Sequence, residues 1–146
     1  MVAANEGKYE QAEHEYGEAI RLDHDSASTY LDLAHYFRGR KNWSRFQETV
    51  ERAVRSPRIR PVDHYDAAEM LLNAKRNLPM AAQQMRAYIQ SGHPEEQAPL
   101  FRAHFLLGEI LMKSKDTGQA AAEYRAALAL SSSYRPAAES LRRLER

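Results

Sequence analysis

The strongest constraint on this chain is a recurrence of small and apolar residues in three registers at once. Ala12 is followed by Phe46, Ala81 and Ala120, at intervals of 34, 35 and 39 residues. Tyr16, Val50, Met85 and Tyr124 keep the same intervals, and so do Ala19, Ala53, Tyr88 and Ala127. Within each copy the three positions lie three or four residues apart, so they fall on one face of a helix. A repeat of this length is one supersecondary unit. It cannot bury its apolar face alone, so successive copies stack into a continuous core.

The segments between these registers are also helical. A first helix over about 6–22 carries Tyr9, Ala12, Tyr16, Ala19 and Ile20 on one face. Ser26 caps a second helix with Tyr30, Leu33, Ala34 and Phe37 inward, which Gly39 and the following basic cluster end. Asn42 caps a third, with Trp43, Phe46, Val50, Ala53 and Val54, stopping at Ser56 before Pro57. Pro61 suits the first turn of a fourth, whose inner side is Tyr65, Ala68, Leu71 and Leu72. Asn77 and Pro79 open a fifth, which Gly92 ends in a left-handed cap. Pro94 and Pro99 bound an irregular connection. Two helices then span 101–130, split at Asp116, which with Gln119 makes a capping-box-like start, and a last helix runs over about 134–146 with Ala138, Leu141 and Leu144 inside. No alternating strand pattern is present.

A period near 34 built of two antiparallel helices resembles the tetratricopeptide repeat. Tyr30, Leu33, Ala34 and Phe37 match its first-helix signature, as do Leu107, Gly108 and Leu111, with His104 in place of the usual aromatic. Phe46 and Tyr88 stand where the family prefers alanine, its turn proline is displaced to Pro57 and Pro94, and the extra residues of 94–99 account for the interval of 39. The resemblance implies an all-α, right-handed α-solenoid of antiparallel helix pairs, about eight helices in one domain. Its parts are a half repeat over 1–24, repeats over 25–59, 60–93 and 94–132, and a C-terminal capping helix over 133–146. The first helix has no preceding partner for half its apolar face, which implies a piece of a longer array or a surface that dimerises.

In such a solenoid the first helix of each pair lines the concave face. The expected partner-binding residues are Leu31, His35 and Arg38, then Asp66, Met70 and Asn73, then Arg102, Phe105, Glu109 and Met112. Phe101, Phe105 and Met112 form a second apolar stripe on a helix whose other face is already core, so that stripe either meets a partner or is covered by the 94–99 insertion or the C-terminal helix. One branch of the family clamps a C-terminal carboxylate with lysine, arginine and asparagine. The matching places here hold Leu31, His35, Ala67, Arg102 and Leu106, and only Arg102 fits.

Other function classes find little support. The six histidines are scattered, with no HExxH pattern, and there is no GxSxG, phosphate-binding loop or GxGxxG. No catalytic role, metal or cofactor is expected. The net charge is +1, and although Arg38, Arg40, Lys41, Arg45, Arg52, Arg55, Arg58 and Arg60 cluster, the regular base-reading code of helical-repeat RNA readers is missing, so nucleic acid is not an expected partner. Zero cysteines exclude disulfides, and no apolar run reaches the length of a membrane span. The expected function is a protein-interaction module binding a partner peptide or protein surface in the concave groove. Self-association through the uncovered first helix, giving a homo-oligomer, is the alternative. The compartment is left open.

Overall fold

The computed structural model describes residues 2–146, with side chains from Glu6 onward; Met1, the first residue of the expected half repeat, lies outside the described residues. Eight helices follow one another: α1 (Val2–Leu22), α2 (Ala27–Gly39), α3 (Trp43–Val54), α4 (Pro61–Ala74), α5 (Leu78–Ser91), α6 (Leu100–Lys113), α7 (Thr117–Leu130) and α8 (Arg135–Leu144). Among the described residues no strand occurs, only an isolated bridge between Glu95 and Ala98. None of the helices is long and apolar enough to cross a membrane.

The helix starts follow from local chemistry. The side chains of Ser26, Asn42, Asn77 and Asp116 each accept a hydrogen bond from a first-turn backbone N–H, satisfying a donor that the helix itself leaves without a partner. The expected reciprocal bond at Asp116 does not form: the Asp116 N–H donates to the Leu111 carbonyl at 2.9 Å, and the Gln119 side chain accepts from Arg86 at 3.2 Å. At the helix ends Gly92 is left-handed as expected, with φ 72°. Gly39 stays helical, and the left-handed residue after α2 is Lys41.

The chain forms two compact units, one ending at Ile59 and the other Arg60–Arg146. In the first, α2 packs on α3 through Tyr30, Ala34 and Phe37 and through Phe46, Val50 and Ala53, all buried. α1 is held to α2 by aromatic contacts, Tyr36 lying 6.1 Å from Tyr9 and 5.8 Å from Tyr16, with Arg40 over the Tyr9 ring. The α1 stripe is less covered than its counterparts. Ala12, Tyr16 and Ala19 are half-buried, whereas Phe46, Val50 and Ala53 in α3 are fully buried.

In the second unit each of α4 to α7 packs on its neighbour in sequence, α4 also touches α6, and α8 closes on α7. The repeat registers are its core, since Ala81, Met85, Tyr88, Ala120, Tyr124 and Ala127 are all fully buried. Gly108 is small because of that packing: a Cβ there would lie 2.6 Å from the Tyr124 ring. The Tyr88 hydroxyl donates to the carbonyl of Ala98 at 2.5 Å and accepts from the Glu95 N–H at 2.9 Å, so the tyrosine standing in an alanine position fastens the extra connection before α6. In α8 the expected inward residues Ala138, Leu141 and Leu144 are only half-buried, and Ala137 is the one at the centre of the contact.

Candidate partner-binding groove

The expected surface divides between the two units. In the first, Leu31 is buried in the α2 core, His35 is exposed and Arg38 is half-buried. Several cations of the neighbouring basic cluster are ion-paired: Arg40 with Glu6, Arg55 with Glu51 and Arg58 with Asp23. A recess of about 400 Å³ near the end of α3 is lined by Asp25 and Glu48 as well as Arg52 and Arg55, so its charges balance.

The second unit brings the remaining predicted residues onto α4 and α6. α4 begins at an extended Arg60, whose backbone N–H and guanidinium both donate to the buried Asp63 carboxylate at 2.9 Å. One turn on, Asp66 reaches the surface, and partial desolvation together with the nearby Asp63 and Glu69 carboxylates raises its pKa. Met70 is 1% exposed and therefore belongs to the core. Leu72 and Asn73 then form a lip, and Lys75 ends the helix in the left-handed region at φ 56°.

On α6, Arg102 donates to the Tyr65 hydroxyl and, at 2.7 Å, to the Glu69 carboxylate. Burial pushes the Tyr65 pKa up to about 12, with the Arg102 charge pulling the other way. The second apolar stripe is largely accounted for inside the unit. Tyr134, just before α8, packs edge-on against Phe101 at 4.9 Å and Phe105 at 5.5 Å, and Tyr124 lies 6.0 Å from Phe105. Glu109 accepts from the Tyr124 hydroxyl at 2.7 Å and from Ser140 at 3.0 Å. Burial and that carboxylate both hold the Tyr124 pKa well above its ordinary value. Met112 is half-buried.

What stays open between α4 and α6 is a groove of about 310 Å³ lined by Leu72, Asn73, Lys75, Phe105, Leu106, Glu109 and Lys113. It gathers Asn73, Phe105 and Glu109 of the predicted set. Asp66, Arg102 and Met112 lie on the same two helices but do not line it. Sequence reasoning missed the lysines, which follow the last core residue of each helix and so looked like ordinary helix ends. Their signal was two cations closing two successive first helices. The groove offers apolar contact, an amide, one carboxylate and two ammonium groups.

Comparison with known proteins gives the family context. A family model described as tetratricopeptide repeat matches residues 101–134. A structure from a functional characterization of Pseudomonas aeruginosa pilF is similar with a TM-score of 0.71 at 22% identity, over 97% of this chain and 62% of that one. The chain thus spans less than two thirds of the length of that neighbour. The N-terminal domain of stress-induced protein-1 from C. elegans is similar with a TM-score of 0.63 at 15% identity, over 82% of this chain and 94% of that one. At these identities the likeness is one of fold. No curated protein matches the sequence.

Proposed function

We propose, from the premise that residues 101–134 are a tetratricopeptide repeat within an all-helical repeat fold, that the chain is a protein-interaction module. Its repeats follow the boundaries 25–59, 60–93 and 94–132, and a partner segment docks in the groove between α4 and α6. The observation that carries this reading is the open groove itself, where half-buried Phe105 supplies apolar contact over a floor of buried Leu72 and Leu106, beside exposed Asn73 and the two lysines. Extended partner segments use such grooves by seating one apolar side chain and setting register with polar groups around it.

Asn73→Trp tests it, because the indole fills the groove from an exposed position and leaves the core untouched. Peptides selected from a random library on the wild-type protein should lose binding to the variant, with the far-ultraviolet circular dichroism of the two proteins identical. Equal binding to both removes the groove from the interaction.

A second reading, self-association through α1, is favoured by one observation. The stripe Ala12, Tyr16 and Ala19 is half-buried where the same register is fully buried in α3, α5 and α7. Sedimentation over a wide concentration range separates the two readings, a strictly monomeric species removing the second.

A further inference from the structure

The groove between α4 and α6 carries a charge pattern that packing does not require. Lys75 ends one wall and Lys113 the other, both exposed, and neither ammonium group is paired among the described residues. Glu109, the acid among the lining residues, is already engaged by the Tyr124 hydroxyl and Ser140. Of the other cations on or beside these helices, Arg102 is paired with Glu69, and Arg60, just before α4, with Asp63. The lining therefore carries two ammonium groups against one carboxylate, a net positive charge.

We propose that the groove takes an internal acidic segment of a partner protein. An apolar side chain of that segment sits against Phe105 and Leu72, and neighbouring aspartate or glutamate side chains reach Lys75 and Lys113. This chemistry rests on the groove serving as the partner site and adds what the partner must look like. An internal segment fits better than a chain end. The positions that hold a terminal carboxylate in related repeats carry Leu31, His35, Ala67, Arg102 and Leu106 here, of which Leu31, Ala67 and Leu106 are buried and Arg102 is occupied by Glu69. The unmatched cations stand instead at the helix C-termini.

The experiment is a phage selection from a randomised peptide library displayed without a free C-terminus. Three versions of the 146-residue chain are compared: wild type, the double variant Lys75→Glu with Lys113→Glu, and Asn73→Trp. All three are checked for equal helicity by circular dichroism. The wild-type pool should be enriched in aspartate and glutamate beside an apolar residue. A consensus peptide, amidated at its end, should lose about tenfold in affinity when its acids become glutamine, and should weaken as salt is raised. The charge-reversed protein should select lysine and arginine in their place. An acid-poor wild-type pool, or the same acidic pool from the charge-reversed protein, overturns the proposal. An uncharged pool that is still lost on Asn73→Trp leaves the groove standing and removes only the acidic partner. An empty wild-type pool removes both.

Discussion

Three lysines, Lys41, Lys75 and Lys115, hold φ values of 57°, 56° and 64° after α2, α4 and α6. For a residue with a Cβ this region costs about 1–2 kcal/mol, and the greater freedom of glycine in the unfolded chain offsets part of any gain from replacing it. Each single Lys→Gly change should therefore stabilise the protein by about 1 kcal/mol, read as a higher urea midpoint at unchanged slope. Lys75→Gly should do so while weakening an acidic peptide, which separates the role of the side chain from that of the backbone. Tyr88 runs the other way. Tyr88→Phe keeps the ring in its fully buried site but orphans the Ala98 carbonyl and the Glu95 N–H. The expected loss is about 1–3 kcal/mol, with faster amide exchange at Glu95. Asp66 gives a pH signature. Its folded pKa is raised, so as pH climbs through the ordinary carboxylate range the unfolded chain releases its proton first and stability falls. Asp66→Asn removes that penalty. The variant should melt higher than wild type near neutral pH and equally at about pH 3, where both states hold the proton; equal melting at both pH values would show that the carboxyl is not perturbed.

At the scale of elements the helices differ in what holds them. α5 and α7 bury their whole register, whereas α1 touches α2 chiefly through Tyr9, Tyr16 and Tyr36, the last donating from its hydroxyl to the Tyr9 carbonyl at 3.2 Å. Local opening follows the density of buried contacts. Amides of α1 around Glu13 should exchange well before those of α5 around Met85. Tyr36→Ala should abolish α1 protection and leave α4 to α7 unchanged, a result read by hydrogen exchange with mass spectrometry; protection of α1 surviving the substitution would mean that other contacts anchor it. α6 is apolar on two sides because it is enclosed on two sides, by α5 and α7 on its core face and by Tyr134 over Phe101 and Phe105. The second stripe that looked in the sequence like a docking surface is thus largely an internal contact, and the open part lies beside it at Asn73, over the buried Leu72 and Leu106.

For the whole molecule, what was legible in the sequence was what is local or periodic. Caps at Ser26, Asn42, Asn77 and Asp116 need only their own first turn, and the three registers predict one another. What was not legible depended on distant partners. Met70 and Leu31 were placed on the open face, but neighbouring helices bury them to 1% and 5% exposure. The covering role of Tyr134 arises more than 25 residues from Phe105 and leaves no periodic trace. The same distinction bears on how folding is partitioned. A repeat protein has a stability close to a sum of units and their neighbours, so a stretch that contains its own complete core needs no help from outside it. Arg60–Arg146 meets that condition: Tyr65, Leu71, Met85, Tyr88, Leu107 and Tyr124 are all buried within one compact unit. Expressed alone, it should be strongly helical and should melt in a single cooperative transition by calorimetry. It should also bind the groove-selected peptide within about twofold of the full chain, well inside the tenfold that 1.4 kcal/mol represents. A fragment that melts without cooperativity would show that this core depends on the preceding helices, whereas a fragment that folds but has lost the peptide would place part of the binding surface before Arg60.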